Sequence, residues 1–391
     1  MVLAGALALV TASAAQERPA PGLTAAPEVA RVYDAIFDAR FDDVPPLAAR
    51  ACALREPQGT PGTSRGGPAP REACQVLEAV AAWWRIQIDP LNTSRDEAFR
   101  SQVDEAIAAT TAWTVREPQR AEAWFYLGGA CAARVQWRVL RGQRLAAARD
   151  GRRIKEALER ALALDPAMSD AYFGLGLYHY YADVAPAFLK MLRWILLLPG
   201  GDREQGLEEM LRARRAGLLV RGEADYQLHL VYLWYEKQPL RALELLADLQ
   251  ARHPRNPHFW QAAADIQDVY LSDVHASLQS WQALLEAARE RRVEEPEMAD
   301  AAARLGIARQ LDRLSQPEPA LEHLRAVITA RPSSPFGAVA RAHLQRGRAL
   351  EHLGRSTDAA AAYRDAIAAA GPGDPLKVAA AARAALRAMR R

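Results

Sequence analysis

Eight histidines are spread over the 391 residues, and two arrangements among them could do chemistry. His253 and His258 stand five apart across a Pro-Arg-Asn-Pro turn, whereas a helical metal pair needs a spacing of four. His179 and Asp183 do have that spacing, but such a histidine is more often a partly buried helix residue. Gly174-Leu-Gly176 lacks the third glycine and the preceding strand of a dinucleotide loop, and no Gly-Lys-Ser/Thr phosphate loop occurs. No serine is placed in the strand-to-helix nucleophile elbow of a hydrolase. No catalytic, metal-ligating or cofactor-binding residue is therefore assigned, and the expected activity is binding without cofactor or metal.

The totals narrow the class of partner. Fifty basic and 47 acidic residues leave a formal net charge of +3, too little for a global field that attracts nucleic acid. The opening MVLAGALALVTASAAQ is an apolar run ending in small residues, the pattern of a signal peptide over 1–15, so an exported and periplasmic location is expected. No Lys or Arg precedes that run, and no cysteine follows the cleavage point to take a lipid. Three cysteines remain. Cys52 and Cys74 flank a Gly/Pro loop that could bring them together in a disulfide, but the favoured reading is three small buried apolar residues, with Cys131 the third.

Half of the residues are hydrophobic, β-branched residues are scarce, and the 24 prolines fall mostly between apolar-periodic stretches, which points to helices. Those helices repeat. Pro254 is preceded by Ala242, Leu246 and Leu249. The same offsets recur before Pro332 as Ala320, Leu324 and Val327, before Pro166 as Ile154, Leu158 and Ala161, and before Gly371 as Ala359, Tyr363 and Ala366. Small, large, small at spacings of four and three makes one helix stripe that must pack on a neighbour. Upstream of these helices lie others with an aromatic residue ahead of a small one, such as Trp124 with Gly128 and Tyr172 with Gly176. Gly347 marks the crossing in a fourth unit.

With stretches 223–256, 257–290 and 301–334 each matching a 34-residue length, the chain resembles the tetratricopeptide repeat family. Exported bacterial repeat proteins are similar to it across the tyrosine-rich helix, the apolar insert and LPGGDR. The resemblance implies an all-α, right-handed superhelix of seven to eight helix pairs. The expected divisions are a linker at 16–27, degenerate pairs over 28–120 with a Gly/Pro loop at 57–70, repeats over 121–371, and a basic capping helix at 372–391.

In that family the first helices line a concave face. Carried over residue by residue, the groove consists of Phe173, Leu177, Tyr180 and Tyr181, then Gln227, Val231, Trp234 and Tyr235, then Gln261, Asp265 and Asp268, and lastly Leu305, Arg309 and Asp312. Its middle is apolar and aromatic, as suits a protein or peptide partner. The asparagine-based carboxylate clamp of chaperone-binding members is absent, since the only asparagines are Asn92 and Asn256. A glycan or small molecule in the same groove is the alternative. The stretch AFLKMLRWILLL, within an insert at 184–201, is too short to span a bilayer. Extra core, a lip over the groove and a peripheral membrane contact remain its three readings, with Asp202 expected to cap the helix that follows.

Overall fold

A computed structural model of the chain describes residues 22–53, 67–184, 200–371 and 373–389. Among these residues the regular structure is helical throughout. The first pairs are α1 (Ala26–Phe37) with α2 (Val44–Ala53), α3 (Arg71–Ile88) with α4 (Asp96–Arg116), and α5 (Ala121–Leu140) with α6 (Arg144–Leu164). Next come α7 (Ala171–Val184) with α8 (Arg203–Ala216), α9 (Arg221–Trp234) with α10 (Pro239–Arg252), and α11 (Pro257–Val269) with α12 (Val274–Arg289). The last pairs are α13 (Pro296–Arg313) with α14 (Pro317–Ala330) and α15 (Ala338–His352) with α16 (Ser356–Ala370), followed by α17 (Val378–Ala388). Each helix packs on the next in the chain, so the fold is an all-α helical-repeat superhelix.

The sequence stripes are the seams of this stack. All twelve residues named before Pro166, Pro254, Pro332 and Gly371 are buried. The small residues let paired backbones close up: a β-carbon at Gly176 would come within 2.6 Å of the Gly206 carbonyl oxygen on α8, and one at Gly128 within 2.7 Å of Leu158 on α6. Gly347 faces the Tyr363 ring in the same manner. Helix starts are set by short polar side chains that accept from backbone amides otherwise unpaired: Asp202 from Gln205 (3.0 Å), Asn256 from His258 (3.0 Å) and Asp273 from Ala276 (2.9 Å). At the far end Val378, Ala379 and Ala382 of α17 are buried against the last pair, which this helix covers.

Two features depart from the expectations. Cys52 and Cys74 form a disulfide, so only Cys131 is the buried free thiol that the favoured reading made of all three. The amino-terminal helices also turn inward against the middle of the stack. Phe37 lies 6.2 Å from Phe259 and Trp84 lies 4.8 Å from Tyr226, ring to ring. The Asn256 amide donates to the Phe37 carbonyl at 2.7 Å. Asp89, after α3, accepts from the Ser334 hydroxyl (2.9 Å) and the Phe336 amide (3.0 Å). The stretch read as a linker is anchored from Gly22 onward, where the Gly22 amide donates to Asp165 and Thr24 binds Glu122. The apolar 187–198 segment lies outside the described residues. Among the described residues no helix is long and apolar enough to cross a membrane.

Candidate functional site

The inner faces of α3, α5, α6, α7, α9 and α11 enclose a cavity of about 1340 Å³. Helix periodicity decides which side chains reach it. On α7 the lining residues are Phe173, Leu177, Tyr181 and their stripe-mates Gly174, Tyr178 and Ala182, spaced by threes and fours. On α9 they are Glu223, Tyr226, Gln227, Leu230, Leu233 and Trp234, with Tyr235 following. On α11, His258, Gln261, Asp265 and Val269 lie on one such stripe.

Of the fourteen groove residues expected from the sequence, nine line this cavity: Phe173, Leu177, Tyr181, Gln227, Trp234, Tyr235, Gln261, Asp265 and Arg309. Tyr180 and Val231 do not, and both are fully buried. Gln227, Trp234 and Tyr235 of the same unit do line the cavity, and the inner stripe between them passes through Leu230 rather than Val231. Tyr180 lies about 60° round the helix from Leu177, on the side away from Tyr181 and on the flank that meets the next pair. Its hydroxyl donates to Glu236, which also holds Arg203. Leu305 is buried, Asp268 is a buried partner of Arg309 and Arg313, and Asp312 pairs with His352 at 2.7 Å.

The wall is aromatic and its polar groups are largely engaged. Trp234 donates to the Tyr270 hydroxyl at 3.1 Å, and Tyr181 and Tyr235 meet edge-on with centroids 5.6 Å apart. Arg309 binds Asp265 at 2.8 Å, and Gln227 donates to Gln136 at 3.1 Å. Deeper in, Glu223 accepts from the Trp84 indole at 3.0 Å, with Gln136 and Tyr33 also hydrogen-bonded to it. Burial raises its pKa to about 7 against these donors, which favour the charged form. The Tyr226 hydroxyl and His258 Nε2 are 3.0 Å apart. Burial, reinforced by His258, lowers His229 to about 3, and burial lowers His258 to about 4.

Glu223, Tyr226 and His229 were missed in the sequence although they share a helix with Gln227. An inward stripe through Gln227 and Trp234 passes over Glu223 and Leu230, so that signal was present. Tyr33, Trp84 and Gln136 carried none, because their partners lie roughly a hundred or more residues away in the chain. His179 sits 2.8 Å from Glu209 on α8. The letters of a nucleophile elbow do occur once, as Gly62-Thr-Ser64-Arg-Gly66. That segment lies outside the described residues, between helices α2 and α3, with no strand before it among them.

Three consecutive pairs begin at Arg221, Pro257 and Pro296, and the first two starts are 36 residues apart. The chain folds as an all-α solenoid of stacked helix pairs. No family model matches this solenoid's sequence, and no curated protein does. Among solved structures it is similar to a chain of the APC/C hetero-tetramer Cut9–Hcn1, with a TM-score of 0.42 and 14% identity. That match covers 90% of this chain and 60% of the other. It is also similar to yeast Tom70, with a TM-score of 0.42 and 13% identity over 89% of this chain and 70% of that one. The solenoid thus spans less than two thirds of the Cut9–Hcn1 chain it matches.

Proposed function

We propose that the protein is a non-catalytic scaffold that holds an apolar helical or extended segment of another protein in its concave cavity. One observation carries the reading. Of eleven large apolar or aromatic side chains exposed among the described residues, six rim this one cavity: Val139, Leu145, Trp234, Tyr235, Val269 and Tyr270. Apolar surface concentrated in this way marks a place where another surface is buried. The volume exceeds what one small ligand fills, and a helix about 10 Å across rising 1.5 Å per residue would occupy it over roughly three turns. A sugar would need free donors and acceptors, whereas Trp234, Gln227 and Asp265 already have partners. We place this activity in an exported, oxidising setting at the bacterial cell envelope. The signal-like opening residues and the Cys52–Cys74 disulfide support that placement.

The test is a photo-crosslinking residue at position 139, on the cavity rim, in the full chain, exposed to an envelope extract. A discrete protein adduct mapping to one short segment is expected. A folded Tyr181→Ala/Trp234→Ala variant should lose that adduct by tenfold or more. Undiminished capture by the folded variant would remove the cavity as the binding surface.

A further inference from the structure

Glu223 is 4% exposed, opens onto the cavity and, among the described residues, has no cation beside it. Among the described residues, Tyr33 of α1, Trp84 of α3, Gln136 of α5 and Tyr226 of α9 act on it directly, while Tyr126 of α5, Asp170 at the start of α7, His229 of α9 and His258 of α11 line the same cavity. None is a lysine or an arginine. The two histidines stay neutral under burial, and Asp170 is taken by the backbone amides of Leu218, Leu219 and Val220. Among the described residues, the cations that line the cavity are Arg144 and Arg309, and neither acts on Glu223. Arg309 is held by Asp265 and Asp268. A carboxyl in an apolar interior must keep its proton or find a positive partner. Around it, Tyr33, Trp83, Tyr126 and Tyr226 present aromatic rings to the same space, and ring faces attract cations.

We infer that the segment bound in the cavity carries one basic side chain, lysine or arginine, which seats on Glu223 among these aromatic rings. The inference rests on the scaffold reading above and specifies what it selects. The occupying chain is apolar over about three turns and positive at one position, so that charge, not apolar fit alone, fixes its register. The cation takes the place of the carboxyl proton, which leaves to solvent. The hydrogen bonds from Trp84, Gln136 and Tyr33 then serve the carboxylate.

Two synthetic leucine–alanine helical peptides, identical except for a central lysine or norleucine, test this by calorimetric titration into the full chain. The lysine peptide is expected to bind at least about tenfold more tightly at pH 7.5. At pH 6 it should release about one proton on binding, read from the dependence of the heat on buffer ionisation enthalpy, while the norleucine peptide releases none. Glu223→Gln should bring the two peptides to equal affinity. If both bind the native chain equally and without proton release, the basic-residue inference falls and the cavity stands as an apolar site. If neither binds, the cavity reading falls and takes the inference with it. The proton count is made on the native chain and decides the matter even if Glu223→Gln does not fold.

Discussion

At the scale of single residues, buried ionisable groups set how stability responds to pH. His229, His253 and His258 are lowered to about 3, 4 and 4 from 6.5, mainly by burial. The unfolded chain takes up protons at these sites below about pH 6.5 that the folded chain refuses, so their contribution is complete above 6.5 and is lost as pH falls toward 4. Glu223 acts with the opposite sign. Its folded pKa of about 7 lies above the ordinary 4.5, so its contribution is complete below 4.5 and is lost as pH rises through 7. Glu223→Gln removes that loss. The stability difference between native chain and variant, from urea unfolding at pH 4.5 and 7.5, should move in the variant's favour by on the order of 3 kcal/mol. A pH-independent difference would show that Glu223 is not a buried titrating group. Little of this was legible in the sequence. Glu223 reads there as an ordinary charge at a helix start, and only the return of Tyr33 and Trp84 against it makes its site apolar.

Pairs of helices are where the sequence spoke most clearly. Stripes such as Ala242-Leu246-Leu249 and the glycines at the crossings are local signals, repeated at fixed spacing, and the structure buries them in the seams between neighbours. The glycines are not equivalent. At Gly176 an added β-carbon meets backbone, the Gly206 oxygen at 2.6 Å and the Met210 nitrogen at 2.8 Å, which cannot swing aside. At Gly151, also inside a helix, it meets nothing within 4 Å. Gly176→Ala is therefore expected to destabilise by about 2 kcal/mol despite better helix propensity, through overpacking at the α7–α8 crossing. Gly151→Ala should stabilise by up to about 1 kcal/mol. Urea midpoints of the two variants separate the effects, and equal shifts would count against close backbone contact at the crossing. A single carried-over position such as Val231 still misses, because the inner stripe from Gln227 to Trp234 passes through Leu230.

Across the whole molecule, the inward turn of α1–α3 has no counterpart in the repeat pattern. Its contacts join residues more than a hundred positions apart, Trp84 with Glu223, Phe37 with Asn256 and Asp89 with Ser334, and no period in the chain announces such pairings. The carboxylate of Asp89 ties the end of α3 to the loop before α15. Asp89→Ala should cost about 1 kcal/mol, with amide exchange at Phe336 accelerating while α11 and α12 keep their protection. Unchanged exchange at Phe336 would mean that this tie does not hold the loop.

An array whose units touch only their neighbours can begin folding at any unit and spread along the chain. Here the rings of Phe37 and Trp84, made early in synthesis, reach their final partners only once residues 223 to 259 exist. Closing so long a loop raises the contact order, so refolding should be slower than for an open array of equal length. Helices α1 to α3 and the middle pairs should also melt in one transition rather than peel away from an end.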